Sequence, residues 1–158
     1  MNEDEKWMQF AIIEANKAQI KNEIPIGAII VKNGQLIAQA HNQPITLNDP
    51  TAHAEIQALR IAAKKQRNYR LIKTTLYVTL EPCLMCFGAI NHARIERIVY
   101  GAHDPKVSIC RSYNNLSNKI IINHKLLISG GVLENECSNL LKEFFKNRRN
   151  KKLITHKE

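Results

Sequence analysis

The chain has 158 residues, the size of one ordinary domain, with 23 Lys and Arg against 14 Asp and Glu and a formal net charge of +9. With 44% hydrophobic and 23% charged residues it has too many apolar groups for a disordered chain, and 4 Cys and 6 Gly exclude a disulfide-dense or collagen-like scaffold. Its apolar runs are only a few residues long, so no segment is expected to span a membrane. Met1 to Phe10 is acidic and lacks the basic and apolar regions of a signal peptide, so the expected compartment is the cytoplasm, where thiols stay reduced. The positive surplus suits a polyanionic partner and equally suits solubility alone.

Trp7, Phe10, Ala11, Ala15 and Ala18 recur at helical spacing and predict an amphipathic helix from about Glu3 to Ile20. Asn33-Gly34 lies between the apolar runs Ala28–Val31 and Leu36–Ala38 and predicts a hairpin, because both residues tolerate positive φ. A polar loop through Pro44, Asn48, Asp49 and Pro50 follows, and Thr51 is the expected N-cap of a second helix ending near Lys65. Thr74 to Leu80 is β-branched and aromatic, hence a strand. Pro82 suits the first turn of a third helix, Cys83 to about Ala93.

Arg97 to Tyr100 reads as a short strand, followed by a loop of about twenty residues, a length usually tied to function. His124 to Ile128 is a candidate edge strand. Glu134 to Arg149 is a final helix with Cys137, Leu140, Leu141, Phe144 and Phe145 along its apolar stripe. Strand–helix–strand alternation predicts an α/β domain of three layers over residues 1–150, its sheet partly parallel, with a frayed basic tail at 151–158.

Two clusters carry chemistry. Thr51-Ala52-His53-Ala54-Glu55 opens one predicted helix, and Glu81-Pro82-Cys83-Leu84-Met85-Cys86 opens another. Cysteines three apart project from one helix face, and with His53 they make three ligands of a zinc tetrahedron. Three protein ligands leave one position for water, the pattern of a catalytic site. A helix N-terminus also favours thiolate over thiol. Glu55, in the first turn, can point beside the metal and move a proton there. A closed structural zinc site would need a fourth ligand. Cys110, in the long loop, is the main candidate, whereas Cys137 sits on an apolar stripe that suits a core.

His-x-Glu followed by Pro-Cys-x-x-Cys resembles the signature of the zinc-dependent nucleoside and nucleobase deaminases, a signature and mechanism set out as a general pattern for that superfamily. The stretches Glu23–Ala28, His41–Pro44, Asp49–Ile56, Asn68–Leu71 and Thr75–Cys83 are similar to its bacterial tRNA-specific adenosine deaminase branch. The resemblance implies a cytidine-deaminase-like α/β/α fold with about five mixed strands. It implies hydrolytic conversion of the wobble adenosine of a tRNA anticodon to inosine. It further implies one Zn²⁺ per subunit on His53, Cys83 and Cys86, with Glu55 as proton shuttle. The backbone N–H of Ala54 would contact the reacting oxygen, and Asn42 would hydrogen-bond the nucleoside. His103, Asp104, Lys106, Asn123, Phe144 and Arg148 would contact the anticodon stem-loop, in a homodimer whose RNA groove draws on both subunits.

One stretch departs from the family. Where the family carries a glycine- and alanine-rich segment ending in Ser, this chain reads Val107-Ser108-Ile109-Cys110-Arg111-Ser112. Two alternatives therefore stay open: a small-molecule guanine or cytosine deaminase of the same superfamily, and a non-enzymatic RNA-binding module with a structural zinc. His41, His92, His124 and His156 have no partner legible in the sequence.

Overall fold

The computed structural model describes residues 1–107, 109–116 and 125–155. In chain order the elements are α1 (Glu3–Ile20), β1 (Gly27–Lys32), β2 (Gln35–His41), α2 (Pro44–Leu47), α3 (Ala54–Gln66), β3 (Thr74–Leu80), α4 (Leu84–His92), β4 (Arg97–Ala102), α5 (Ile109–Leu116), β5 (Leu127–Ser129) and α6 (Glu134–Thr155). The sheet order is β2-β1-β3-β4-β5. β1 is antiparallel to β2 and β3, whereas β3, β4 and β5 run parallel. The mixed five-stranded sheet expected from the sequence is therefore present.

Alternation along the strands builds the three layers. Ala28, Ile30, Leu76, Val78, Ile98 and Tyr100 face one side, where Ala58, Leu59 and Ala62 of α3 and Phe87 and Ile90 of α4 pack on them. Ile29, Val31, Tyr77 and Val99 face the other side, against Trp7, Met8 and Ala11 of α1 and Cys137 of α6. The β1–β2 hairpin turns through Asn33 and Gly34, with φ of 50° and 69°, as the Asn-Gly pair predicts. α1 opens with a capping box, in which Asn2 accepts from the Glu5 N–H and the Glu5 carboxylate accepts from the Asn2 N–H. Arg97 then grips Asp4 with two hydrogen bonds of 2.8 and 2.7 Å, tying the start of α1 to β4.

Several boundaries differ from the sequence reading. α3 begins at Ala54, not Thr51, because Asp49 captures the Thr51 N–H and hydroxyl in a local turn. Pro82 lies ahead of α4 rather than in its first turn, since Cys83 takes the N-cap position. The polar loop after β2 contains α2, and the expected twenty-residue loop contains α5. The last helix continues past Arg149 to Thr155. His124 lies outside the described residues, and the edge strand is Leu127–Ser129.

The topology sets one end of the sheet aside for chemistry. β3 and β4 finish there, β1 starts there, and Gly27 pairs with His41, the last residue of β2. In open α/β sheets, ligands bind beyond the carboxyl ends of parallel strands. Gly27 lets α1 close over this end: a Cβ on it would run into the Ala11 carbonyl oxygen and the Glu14 Cβ. Gly27→Ala should therefore overpack the α1–β1 contact and lose about 1–3 kcal/mol of stability, measured by urea unfolding.

Candidate active site

α3 and α4 each start at the functional end of the sheet, and a would-be metal ligand occupies each N-cap. His53 caps α3 with φ −68° and ψ 153°, and Cys83 caps α4 with φ −72° and ψ 172°. Neither side chain makes the usual N-cap hydrogen bond. Cys86 sits one turn into α4 and is fully buried. His53 Nδ1 lies 3.6 Å from Cys83 Sγ and 3.4 Å from Cys86 Sγ.

A tetrahedral zinc with bonds of about 2.3 Å to sulfur and about 2.0–2.1 Å to nitrogen spaces its ligand atoms by roughly 3.5–3.8 Å. The observed spacings fit that ion. Among the described residues, His53, Cys83 and Cys86 form the one such group of metal-binding side chains. Cys110 does not join them. It is buried in the core beside α4, so the fourth ligand of a closed structural site is not supplied from there. Cys137 is buried in the opposite core, as its helical stripe predicts.

The electrostatics suit metal capture. The Cys83 thiol is pulled down to about 4, first by its hydrogen bond with Cys86 and then by that with His53. Cys86 is pushed up, because its own S–H donates to the Cys83 thiolate and because it is buried. His53 is raised by its bond with Cys83. Without a metal, the cluster thus carries protons that a zinc ion must displace.

Glu55 is the second residue of α3 and is 4% exposed. Burial pushes its carboxyl up to about 7, against the pull of its own backbone N–H and of His53. A carboxyl poised there can accept and donate a proton near neutral pH. Ala54, between His53 and Glu55, is fully buried in the first turn of α3. Asn42 follows β2, is 5% exposed and anchors its backbone N–H on the Ile26 carbonyl at 3.0 Å. Its Oδ1 is buried with no hydrogen-bond partner among the described residues, an acceptor open to a ligand.

The remaining expected contact residues fall in two places. Lys106 lines a cleft of about 620 Å³ with Cys83, Leu84, Val107 and Ile109. It is held by an Asp104 turn, in which Asp104 Oδ1 accepts from the Lys106 N–H at 3.0 Å. Phe144 and Arg148 face a separate cavity of about 460 Å³, shared with Gln19, Asn22, Ile45 and Lys151. There the Arg148 guanidinium sits 5.9 Å from the Phe144 ring centre. Lys151, expected to be a merely solvated tail residue, belongs to this wall.

His103 is engaged by the protein itself. Its ring meets Tyr100 edge-on, with Nδ1 3.1 Å from the Tyr100 hydroxyl. It also lies 4.0 Å from Glu81 and 3.8 Å from Glu134. Asn123 lies outside the described residues. The sequence reading left His41 without a partner, but His41 bridges buried Glu14 at 3.0 Å and Lys21 at 3.2 Å. Glu23 is held by contacts more than twenty positions away, the Ile45 and Thr46 N–H groups, which no local pattern signals.

Residues 1–102 match the family described as the cytidine and deoxycytidylate deaminase zinc-binding region. The chain belongs to that deaminase family. Like the rest of the family it is zinc-binding, and among the described residues His53, Cys83 and Cys86 are the group able to hold that metal. A tRNA-specific adenosine deaminase of Haemophilus influenzae is 49% identical over 152 residues, spanning 96% of this chain and 88% of the relative. A solved structure from studies of A-to-I editing by tRNA:A34 deaminases at the wobble position superposes with a TM-score of 0.81 at 41% identity, covering 86% of this chain and 99% of that one. A guanine deaminase of Bacillus subtilis superposes less completely, with a TM-score of 0.62 at 42% identity over 65% of this chain and 66% of that one.

Zinc uptake by this deaminase should release protons at pH 7. Titration calorimetry in buffers of different ionisation enthalpy measures the number, and affinity should fall as pH is lowered. Cys86→Ser should remove most bound zinc by metal analysis, whereas Cys110→Ser should leave it in place.

Proposed function

We propose that the chain is a hydrolytic tRNA adenosine deaminase that converts the wobble adenosine of an anticodon loop to inosine and releases ammonia. The observation that carries this reading is the zinc-spaced His53, Cys83 and Cys86 triad beside a buried Glu55, in a chain similar along nearly its whole length to tRNA-specific adenosine deaminases. The 40–49% identity to tRNA-specific adenosine deaminases over nearly the whole chain favours tRNA over a free base.

Zinc held by this triad supplies an activated water and a Lewis acid. Glu55 takes the proton from the attacking water, passes it to the purine ring nitrogen and then assists departure of ammonia. Its burial and raised proton affinity allow both directions of transfer. The Ala54 N–H, at the positive end of α3, faces the developing negative charge. Asn42 Oδ1 accepts a hydrogen bond from the extruded nucleoside.

Lys106 and Asp104 hold the backbone of the anticodon loop at the cleft beside Cys83, and Phe144 with Arg148 offers a ring and a cation to the flanking nucleotides. His103 borders the same loop and contributes through its bond to Tyr100. The apolar groove of about 500 Å³ formed by Ile56, Leu59, Ala63, Tyr69, Met85 and Ala89 receives a second copy of the chain. Met85 and Leu84 lie beside Cys83, so a homodimer there would border the site. No helix of the described residues is long and apolar enough to cross a membrane, and the cytoplasm, where tRNA is used, is the working compartment.

Incubation with an anticodon stem-loop carrying a wobble adenosine should yield inosine by nucleoside analysis, with no turnover of free guanine or cytosine. The reverse pattern would overturn the tRNA reading. Glu55→Ala should keep zinc and lose about 10²- to 10⁴-fold in kcat. The acid limb of kcat/KM should lie between 4.5 and about 7, since Glu55 must be deprotonated to act as base and its carboxyl is raised within that window. RNA affinity should fall steeply with salt, and Arg148→Ala should lessen that slope.

A further inference from the structure

One buried carboxylate stands outside the chemistry just described. Glu23, in the link between α1 and β1, is 1% exposed. Its Oε1 accepts from the Ile45 N–H at 3.2 Å and its Oε2 from the Thr46 N–H at 2.9 Å. Ile45 and Thr46 are the second and third residues of α2, and Pro44 before them has no N–H to offer. Gln43, at the N-cap position, makes no side-chain cap. The cap that α2 lacks locally is thus delivered by an anion 22 and 23 positions earlier in the chain. A carboxylate facing helix-terminal amides forms charge-assisted hydrogen bonds, and burying one without such partners is costly.

A four-residue helix does not persist by itself. Its place is set by its tethers: Glu23 on one side and the Gln43 N–H bonded to the Ala52 carbonyl at 2.9 Å on the other. Asn42, with its unpartnered buried Oδ1, immediately precedes this unit. Ile45, within it, forms part of the Phe144 and Arg148 cavity. α2 therefore joins the nucleoside acceptor to the flanking-nucleotide wall, and whatever fixes α2 fixes both.

We infer that Glu23 is a positioning residue for substrate binding: its carboxylate pins α2, and through it sets Asn42 and Ile45 toward the RNA. This rests on the deaminase reading. Glu23 touches no metal ligand, so the consequence is confined to substrate. Glu23→Gln keeps the size but turns an amide NH₂ toward one of the two backbone N–H groups, which leaves that group unmatched and lets α2 shift.

The test is steady-state kinetics of zinc-loaded protein on an anticodon stem-loop. Glu23→Gln should raise KM roughly tenfold or more, while kcat at saturation stays within about twofold and zinc content is unchanged. Glu23→Asp, which keeps the charge with a shorter reach, should be intermediate. In an Asn42→Ala background, Glu23→Gln should cost less than in wild type, because part of its effect runs through the Asn42 contact. An unchanged KM, or a penalty that adds in full to that of Asn42→Ala, would overturn the inference. If Glu23→Gln does not fold, Glu23→Asp in the same cycle decides by the same two criteria. Wild-type protein that makes no inosine overturns the deaminase reading and this inference with it; inosine from wild type with an unchanged KM in the variant overturns the inference alone.

Discussion

Two helix N-termini meeting at one end of a parallel strand pair is the constraint on which the rest of this structure depends. β3 and β4 run parallel, so the chain leaves β3 through Glu81 and Pro82 and enters α4 at Cys83. α3 packs on the same face of the sheet and has His53 at its N-cap. Both N-cap side chains decline the usual capping role. A Ser or Asp in either place would stabilise its helix by about 0.5–2 kcal/mol, so the ligand function is maintained against local stability. The same geometry directs two sets of N–H groups toward the site, which favours thiolate and any developing negative charge.

The buried polar groups around this site follow three different logics. Glu55 is buried with its proton affinity raised, which suits a group that must exchange a proton. Glu23 is buried with both oxygens satisfied by backbone, which suits a group that must not move. Asn42 is buried with an acceptor that no described residue satisfies, which suits a group whose partner arrives with substrate. Burial is similar in all three; the hydrogen-bond partners distinguish the roles.

The positive surplus of the chain is spread over more than one wall. Lys106 stands beside Cys83 in one cleft, while Arg148 and Lys151 stand in another with Phe144 and Ile45. α6 extends to Thr155 and carries those cations on a helix rather than a frayed tail, which gives them defined positions beside an aromatic ring. α2 directly follows Asn42 and brings Ile45 to the wall of the Phe144 cavity.

The sequence by itself pointed to the His53, Cys83 and Cys86 cluster and to Glu55 beside it, and it determined the hairpin and the layered α/β class. Those features are local: His53-x-Glu55, Cys83-x-x-Cys86, Asn33-Gly34 and the alternating strands each announce themselves within a few residues. Tertiary structure decided what depends on distant partners. Asp49 moved the start of α3 by capturing Thr51, and the core took Cys110 away from the metal. Glu14 and Lys21 gave His41 its partners, and Glu23 reached across the chain to cap α2. Periodicity and spacing carry information about neighbours in sequence. A hydrogen bond between residues that only folding brings together leaves no local signature, and the residues that position the site are held by such bonds.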